Sequence, residues 1–435
     1  MANIKAFNGY MYNPKKIDDL GMVMSPPYDS LTEENQQELY DRHDYNAIRL
    51  SKGKAYETDT ASDNPSTRAK EYLEKWIKED IIKKDAAPAI YLYEQVAEYN
   101  KTTFTNTGFV ALLELEEFGD KVLTCEDTTP VNKQHRYDLL ATTKANFTMI
   151  NCMYVESEKD LSRLITEICD TPADVSFKIP DGTTEYVWKI CDPDKIEFIR
   201  SCLSAHTFYI ADGQNRYETS LQYKKQCMAN NPNHTGDEPY NYILTLLTNA
   251  FDDGIVQLPF HRLVKLKKNF NESFIVAACQ DNFKVEKIIV DTDTSEFSET
   301  MKKQISTTRR ENKIALYFGG DYFYRLTLKN DKIIKDIFPD KSEGYTSLDV
   351  TVLNSLILED ILSIDESNYD ERINYTKSVS DGIKRVKNGE FDCLFAVNPA
   401  KTWQVCSAAT AGDKMPSKTI CVFPKPASGI IMNLL

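Results

Sequence analysis

Histidine is scarce in this chain, with five residues in 435, and no two of them stand at a spacing that suits a zinc finger. The ten cysteines include no C-x-x-C pair, and several, such as Cys125, Cys152 and Cys279, lie inside apolar runs. That pattern excludes a zinc ribbon or a dithiol redox motif and reads as buried, reduced thiols. Positive charge is also in deficit: 52 Lys and Arg stand against 66 Asp and Glu, for a net charge of -14. A protein that grips a nucleic-acid backbone needs a basic surface to displace counterions, so DNA or RNA is not expected as a partner. No run approaches the ~18 apolar residues that cross a bilayer. Residues Met1 to Tyr10 lack the apolar core of a secretory signal. The expectation is a cytoplasmic protein without a membrane partner.

What remains is ordinary globular material, 41% hydrophobic and long enough for two or three domains. Ser25-Pro26-Pro27-Tyr28-Asp29 forms a fixed turn before a helix from Thr32. Residues 51–65 read as an exposed loop. Ala69, Tyr72, Leu73, Trp76 and Ile77 then fall at helical spacing. Three segments, 90–97, 104–115 and 121–125, resemble a strand meander with turns near Asn100 and Gly119. A helix over 132–146, a buried strand over 147–155 and a helix over 158–169 follow. Residues 240–247 suit a helix and 255–263 a strand. The mixture of helices and hairpin-like strands favours α+β over a regular doubly wound sheet. The charged join at 265–269 marks a boundary, giving domains at 1–264 and 265–435. The apolar tail, 419–435, reads as docked rather than loose.

The densest functional signal is FYIADGQNRYETSLQYKK, residues 208–225. A short apolar strand breaks at Asp212-Gly213, and a helix follows with Tyr217 and Leu221 on one face. A strand that turns through glycine into a helix leaves backbone N–H groups unpaired, and these favour an anion. Arg216 in the first turn is placed to grip a phosphate by two hydrogen bonds. Asp212 is placed to hold a metal or accept a proton. The same segment also reads as an ordinary strand–turn–helix with Asp212 as cap and Arg216 as surface charge.

Further motifs accompany it in order: Glu126, Lys133 and Arg136 ahead of Ala145-Asn146, Leu258-Pro259 with His261-Arg262, Asn398-Pro399, and Met415-Pro416 with Lys418-Thr419. With Pro26-Pro27-Tyr28-Asp29, Ile210-Ala211-Asp212-Gly213 and Arg216-Tyr217-Glu218-Thr219, this series resembles a bacterial and archaeal family, domain of unknown function 1015, often labelled SpoOJ/ParB-like. The resemblance implies a ParB/sulfiredoxin-like core with inserted meander strands, plus a C-terminal α+β domain. It also implies nucleotide phosphate bound at the start of a helix, and a kinship with free-serine kinases that makes serine or phosphoserine the leading substrate. This chain departs from the family's pattern at one point. Gln214-Asn215 stands where histidines are usual, and an amide cannot exchange a proton at neutral pH.

The resulting expectation is a phosphotransferase using ATP or ADP with Mg2+. Asp212 would serve as base or metal ligand. Gly213, Gln214, Asn215 and Arg216 would cradle phosphate, while Lys133, Arg136 and Arg262 offset its charge. His261, Glu126 and Asp29 complete the acid–base and carboxylate candidates. The alternative is a sensor that binds a nucleotide or phosphorylated metabolite without turning it over, which Gln214-Asn215 favours. Lys133 and Arg136 also fit a solvated helix face, Asp29 a cap, Glu126 an acidic turn, and His261 a hydrogen-bonded core residue. Lys418 and Lys425 in the tail either reach the cleft or, as isolated lysines, are surface charges. His43, His135, His206 and His234 receive no role.

Overall fold

The longest alternating apolar segments make the longest strands. Ile90–Tyr99 and Thr102–Glu114 pair as an antiparallel hairpin, with Tyr91 opposite Val110 and Tyr93 opposite Gly108. Because side chains alternate across a strand, one face of this hairpin carries Tyr91, Tyr93, Val110 and Leu112. The other carries Ile90, Leu92, Phe109 and Ala111. Both faces are buried, so both need covering layers. This computed structural model describes all residues except 1–2, 29–30, 100, 127–132, 157–158, 253, 291–293, 308–310 and 366.

The chain is α+β and divides into two units. The first comprises residues 1–124, 128–256 and 422–435; the second comprises 125–127 and 257–421. Among the described residues the first unit holds a nine-stranded mixed sheet. Its strands run in the order Val122–Thr124, Phe208–Asp212, Ile150–Tyr154, Tyr242–Asn249, Thr102–Glu114, Ile90–Tyr99, Thr184–Ile190 and Val175–Lys178. Ile4–Lys5 is added beside Thr102–Glu114. The helix Pro65–Lys78 covers one face. Asn64 caps it by accepting from the Ser66 and Thr67 amides at 3.0 and 3.1 Å, and its stripe buries Leu73 and Trp76. Each such side chain contributes about 1.5–3 kcal/mol. The tail strengthens the same face with Ala427, Ile430, Ile431 and Met432.

Two local expectations are overturned. Residues 240–247 form no α-helix: after the short 3-10 turn Pro239–Asn241, Tyr242–Asn249 is a strand buried along its whole length, flanked by strands on both sides. An unbroken apolar run carries no periodicity, so a central strand and a buried helix look alike in sequence. Val122–Thr124 does not extend the meander either. It pairs in parallel with Phe208–Ile210, because a three-residue strand is placed by what surrounds it.

The second unit contains a six-stranded sheet among the described residues. The order is Phe283–Ile289, Tyr322–Leu328, Lys313–Tyr317, Cys393–Ala396, His261–Val264 and Ile373–Thr376, with every pairing antiparallel. Residues 347–362 begin as the short helix Asp349–Leu353 and continue as a wider π-type turn, Asn354–Glu359. No described helix is long and apolar enough to cross a membrane.

Candidate functional site

The strand Phe208–Asp212 ends at Gly213, which has φ 92° and ψ 21°, the left-handed region that glycine adopts freely. A Cβ there would also stand 2.7 Å from Ile150 Cγ2, so backbone and packing both require glycine. The helix Gln214–Asn230 starts at once. The Arg216 and Tyr217 amides donate to Gly213 O at 2.9 and 3.0 Å, and no side chain caps the opening turn. The strand–turn–helix therefore forms with its first amides, those of Gln214 and Asn215, uncapped by any side chain.

Arg216 is not a solitary surface charge. Its Nη2 donates to Asp212 Oδ2 at 2.7 Å, and its Nη1 donates to Met149 O at 2.7 Å and Thr148 O at 3.3 Å. Lys425 from the tail donates to the other oxygen of Asp212. Asp212 thus holds two cations and is mostly covered. In this arrangement it is no ready metal ligand, since a cation bound there would have to displace Lys425. Among the described residues no three His, Cys, Asp or Glu side chains cluster as a metal site.

Beside this motif lies a cavity of about 80 Å3. Arg216, Thr219 and Ser220 line it from the helix, and His135 and Arg136 from the helix Lys133–Thr143; Tyr28, Asn146 and Thr148 also reach it. Its apolar wall includes Leu139, Leu140 and Phe147. The Arg136 guanidinium sits 4.5 Å from the centre of the Tyr28 ring. Burial, together with the Arg136 charge, lowers the pKa of His135, so its imidazole is neutral at pH 7. Its Nδ1 is buried without a hydrogen-bond partner. Lys133 bonds to Glu218 at 2.5 Å, and Gln214 Nε2 donates to the other oxygen of Glu218 at 2.9 Å. The two helices are thereby tied at the cavity's edge. Asn215 Oδ1 is buried without a partner.

The remaining candidates belong to the second unit. His261 and Arg262 begin the strand His261–Val264, and both are buried. His261 Nδ1 accepts from the Val397 amide at 3.2 Å, and burial followed by the Arg262 charge lowers its pKa to about 3. Arg262 donates to Phe260 O and, at 3.3 Å, to Lys418 O, and burial lowers its pKa to about 10. Glu126 accepts from the Thr419 and Ile420 amides at 2.9 and 2.5 Å. Desolvation still pushes its pKa up to about 7. Asp29 lies outside the described residues.

Asp212, Gly213, Gln214, Asn215, Arg216, Lys133 and Arg136 are thus gathered in the first unit, while His261, Arg262 and Glu126 are gathered in the second. Sequence reasoning passed over His135, Tyr28 and Thr219 as site residues. The available signal for His135 was its position between Lys133 and Arg136; Tyr28 and Thr219 lay within motifs already singled out.

Together these features define an α+β protein whose glycine-opened helix and two arginines flank a small cavity. The chain belongs to the family described as "Protein of unknown function (DUF1015)", whose model matches residues 4–351. No curated protein matches it. Solved structures resemble it distantly. A conserved hypothetical protein from Pyrococcus furiosus is 11% identical with a TM-score of 0.32, the match covering 72% of this chain and 90% of that one. A free serine kinase in complex with AMP is 12% identical with a TM-score of 0.34, covering 72% and 88%. SbnI from Staphylococcus aureus, truncated at its C-terminus, is 9% identical with a TM-score of 0.33, covering 73% and 85%. Likeness at this level does not bear on what the chain does.

Proposed function

We propose that the chain is a phosphotransferase of ParB/sulfiredoxin type, binding the phosphates of ATP or ADP and passing a phosphoryl group to the hydroxyl of a small metabolite. The observation that carries this reading is the cavity at the start of the helix Gln214–Asn230, with Arg136, Arg216 and a neutral His135 on its wall. Phosphoryl transfer needs positioning and positive charge more than covalent chemistry, and two arginines with nearby uncapped amides supply both. About 80 Å3 suits a phosphate or an amino-acid-sized group, so the base and ribose of a nucleotide would lie outside it. His135 offers the proton acceptor that Gln214 and Asn215 cannot be. The acceptor hydroxyl would lose its proton to such a base as its oxygen bonds to phosphorus and ADP departs. Serine as that acceptor rests on the family resemblance alone. Mg2+ would arrive with the nucleotide, and no step is assigned to it at Asp212.

The sensor reading keeps its support from Gln214, whose amide is engaged with Glu218. Calorimetry with ADP separates these ideas from a structural role. Arg136→Ala and Arg216→Ala should each weaken binding by about 1–3 kcal/mol with the fold retained. Unchanged affinity in both would remove the phosphate site. Tight binding without turnover of ATP, over a panel of hydroxylated metabolites, would select the sensor.

A further inference from the structure

Behind Asp212 the first unit's sheet carries a row of polar side chains where a core should be apolar. Glu185 is paired with Gln95, and Gln95 with Asn106. Two residues along the same strand face, Gly108 is paired with Thr248. Thr248 Oγ1 donates to Asn151 Oδ1 at 3.2 Å, and Asn151 stands opposite Asp212. Glu185, Gln95, Asn106, Thr248 and Asn151 are each no more than 1% exposed. The tail closes the row: Lys425 O accepts from Gln95 Nε2 at 3.3 Å, while its amine bonds to Asp212.

Four atoms of this row have no hydrogen-bond partner: Gln95 Oε1, both polar atoms of the Asn106 side chain, and Asn151 Nδ2. Each buried orphan costs as much as a lost hydrogen bond, and four together rival a large part of a domain's net stability. A group of buried orphans calls for a partner, which a ligand or ordered water supplies. Their chemistry specifies that occupant. Two amide donors and two acceptors match hydroxyl groups, which both donate and accept. The charges at the end of the row are already engaged, Asp212 with both Arg216 and Lys425, and the orphaned atoms are all neutral amides.

We propose that this row is a binding subsite for a small hydroxylated molecule of no net charge, with its polar groups held by Gln95, Asn106 and Asn151. None of its residues lines the arginine-lined cavity; Arg216, which does, bonds to Asp212 opposite Asn151 at the row's end. Assigning it to the acceptor of a phosphoryl group rests on the phosphotransferase reading; the binding itself does not. Glu185 suits the same ligand: burial raises its pKa to about 7, so its carboxyl is largely protonated below neutrality and adds little charge there.

The test titrates the full chain with glycerol, L-serine and D-ribose at millimolar concentrations, and separately with ADP. At least one hydroxylated probe should bind, and Asn106→Leu should weaken it by roughly tenfold while ADP affinity stays within about twofold. Gln95→Leu should act in the same direction, and it serves if the first variant fails to fold. Probe binding that depends on Asn106 without any ADP binding would keep the subsite and remove its role in phosphoryl transfer. No binding by any of the three probes would overturn the proposal. So would unchanged probe affinity in both variants, or a crystal structure with the probe soaked in and only ordered water along the row.

Discussion

Asp212 in the first unit and Glu126 in the second are both carboxylates with an arginine close by, yet their surroundings treat charge in opposite ways. Asp212 touches Arg216 and Lys425 directly, one cation on each carboxyl oxygen. Glu126 meets two backbone amides and feels Arg262 and Lys418 only through space, and desolvation wins, pushing its pKa to about 7. An arginine near a carboxylate in sequence or space therefore says little until contact and burial are known. The same holds for the two arginines. Arg216 lines a cavity, whereas Arg262 is buried among carbonyls and aromatic rings.

This contrast predicts unequal responses to one chemical change, carboxylate to amide. Asp212→Asn leaves Arg216 and Lys425 without their shared negative partner. It should destabilise the first unit by about 2–4 kcal/mol, the range for breaking a mostly covered ion pair. Denaturant unfolding would measure it, and a loss below about 1 kcal/mol would mean the cluster is not held by charge. Adding Lys425→Met to that variant should recover part of the loss.

The next effect depends on pH. Glu185 has its folded pKa raised from 4.5 to about 7 by burial, so the folded state holds that proton more tightly than the unfolded chain. Its contribution is complete below pH 4.5 and is lost as pH rises through 7, a swing of up to about 3 kcal/mol. Glu185→Gln should match the parent near pH 4 and exceed it in stability near pH 9. Parallel stability curves for the two proteins would refute the burial argument.

Glu126→Gln should change least. An amide oxygen still accepts from the Thr419 and Ile420 amides, and at neutral pH the parent side chain is already partly protonated. The expected cost at pH 6 is within about 1 kcal/mol, read from the same unfolding curves. A cost as large as that of Asp212→Asn would erase the distinction between the two carboxylates.

The strand–glycine–helix at 208–230 was legible because glycine, a preceding apolar strand and a following helical stripe are local signals. The helix Pro65–Lys78 was legible for the same reason: its cap and its stripe lie within fifteen residues of chain. Tyr242–Asn249 was misread because full burial removes the alternation that marks a strand. His135 was passed over because a single histidine in a polar helix carries no pattern. Only the packing of Lys133–Thr143 against Gln214–Asn230, fastened by Lys133 and Glu218, brings it to a cavity wall.

By itself the sequence determined the α+β class, the glycine turn at Gly213 and the placement of Arg216 just after it, since each depends on neighbours a few residues apart. Tertiary structure alone decided that Lys425 would sit on Asp212, 213 positions away, and that amides from three strands would line up behind it. Strand order and tail docking are set by the burial of apolar faces over the whole chain. A polar side chain carried along by that burial acquires its partners, or lacks them, from residues the local sequence does not contain.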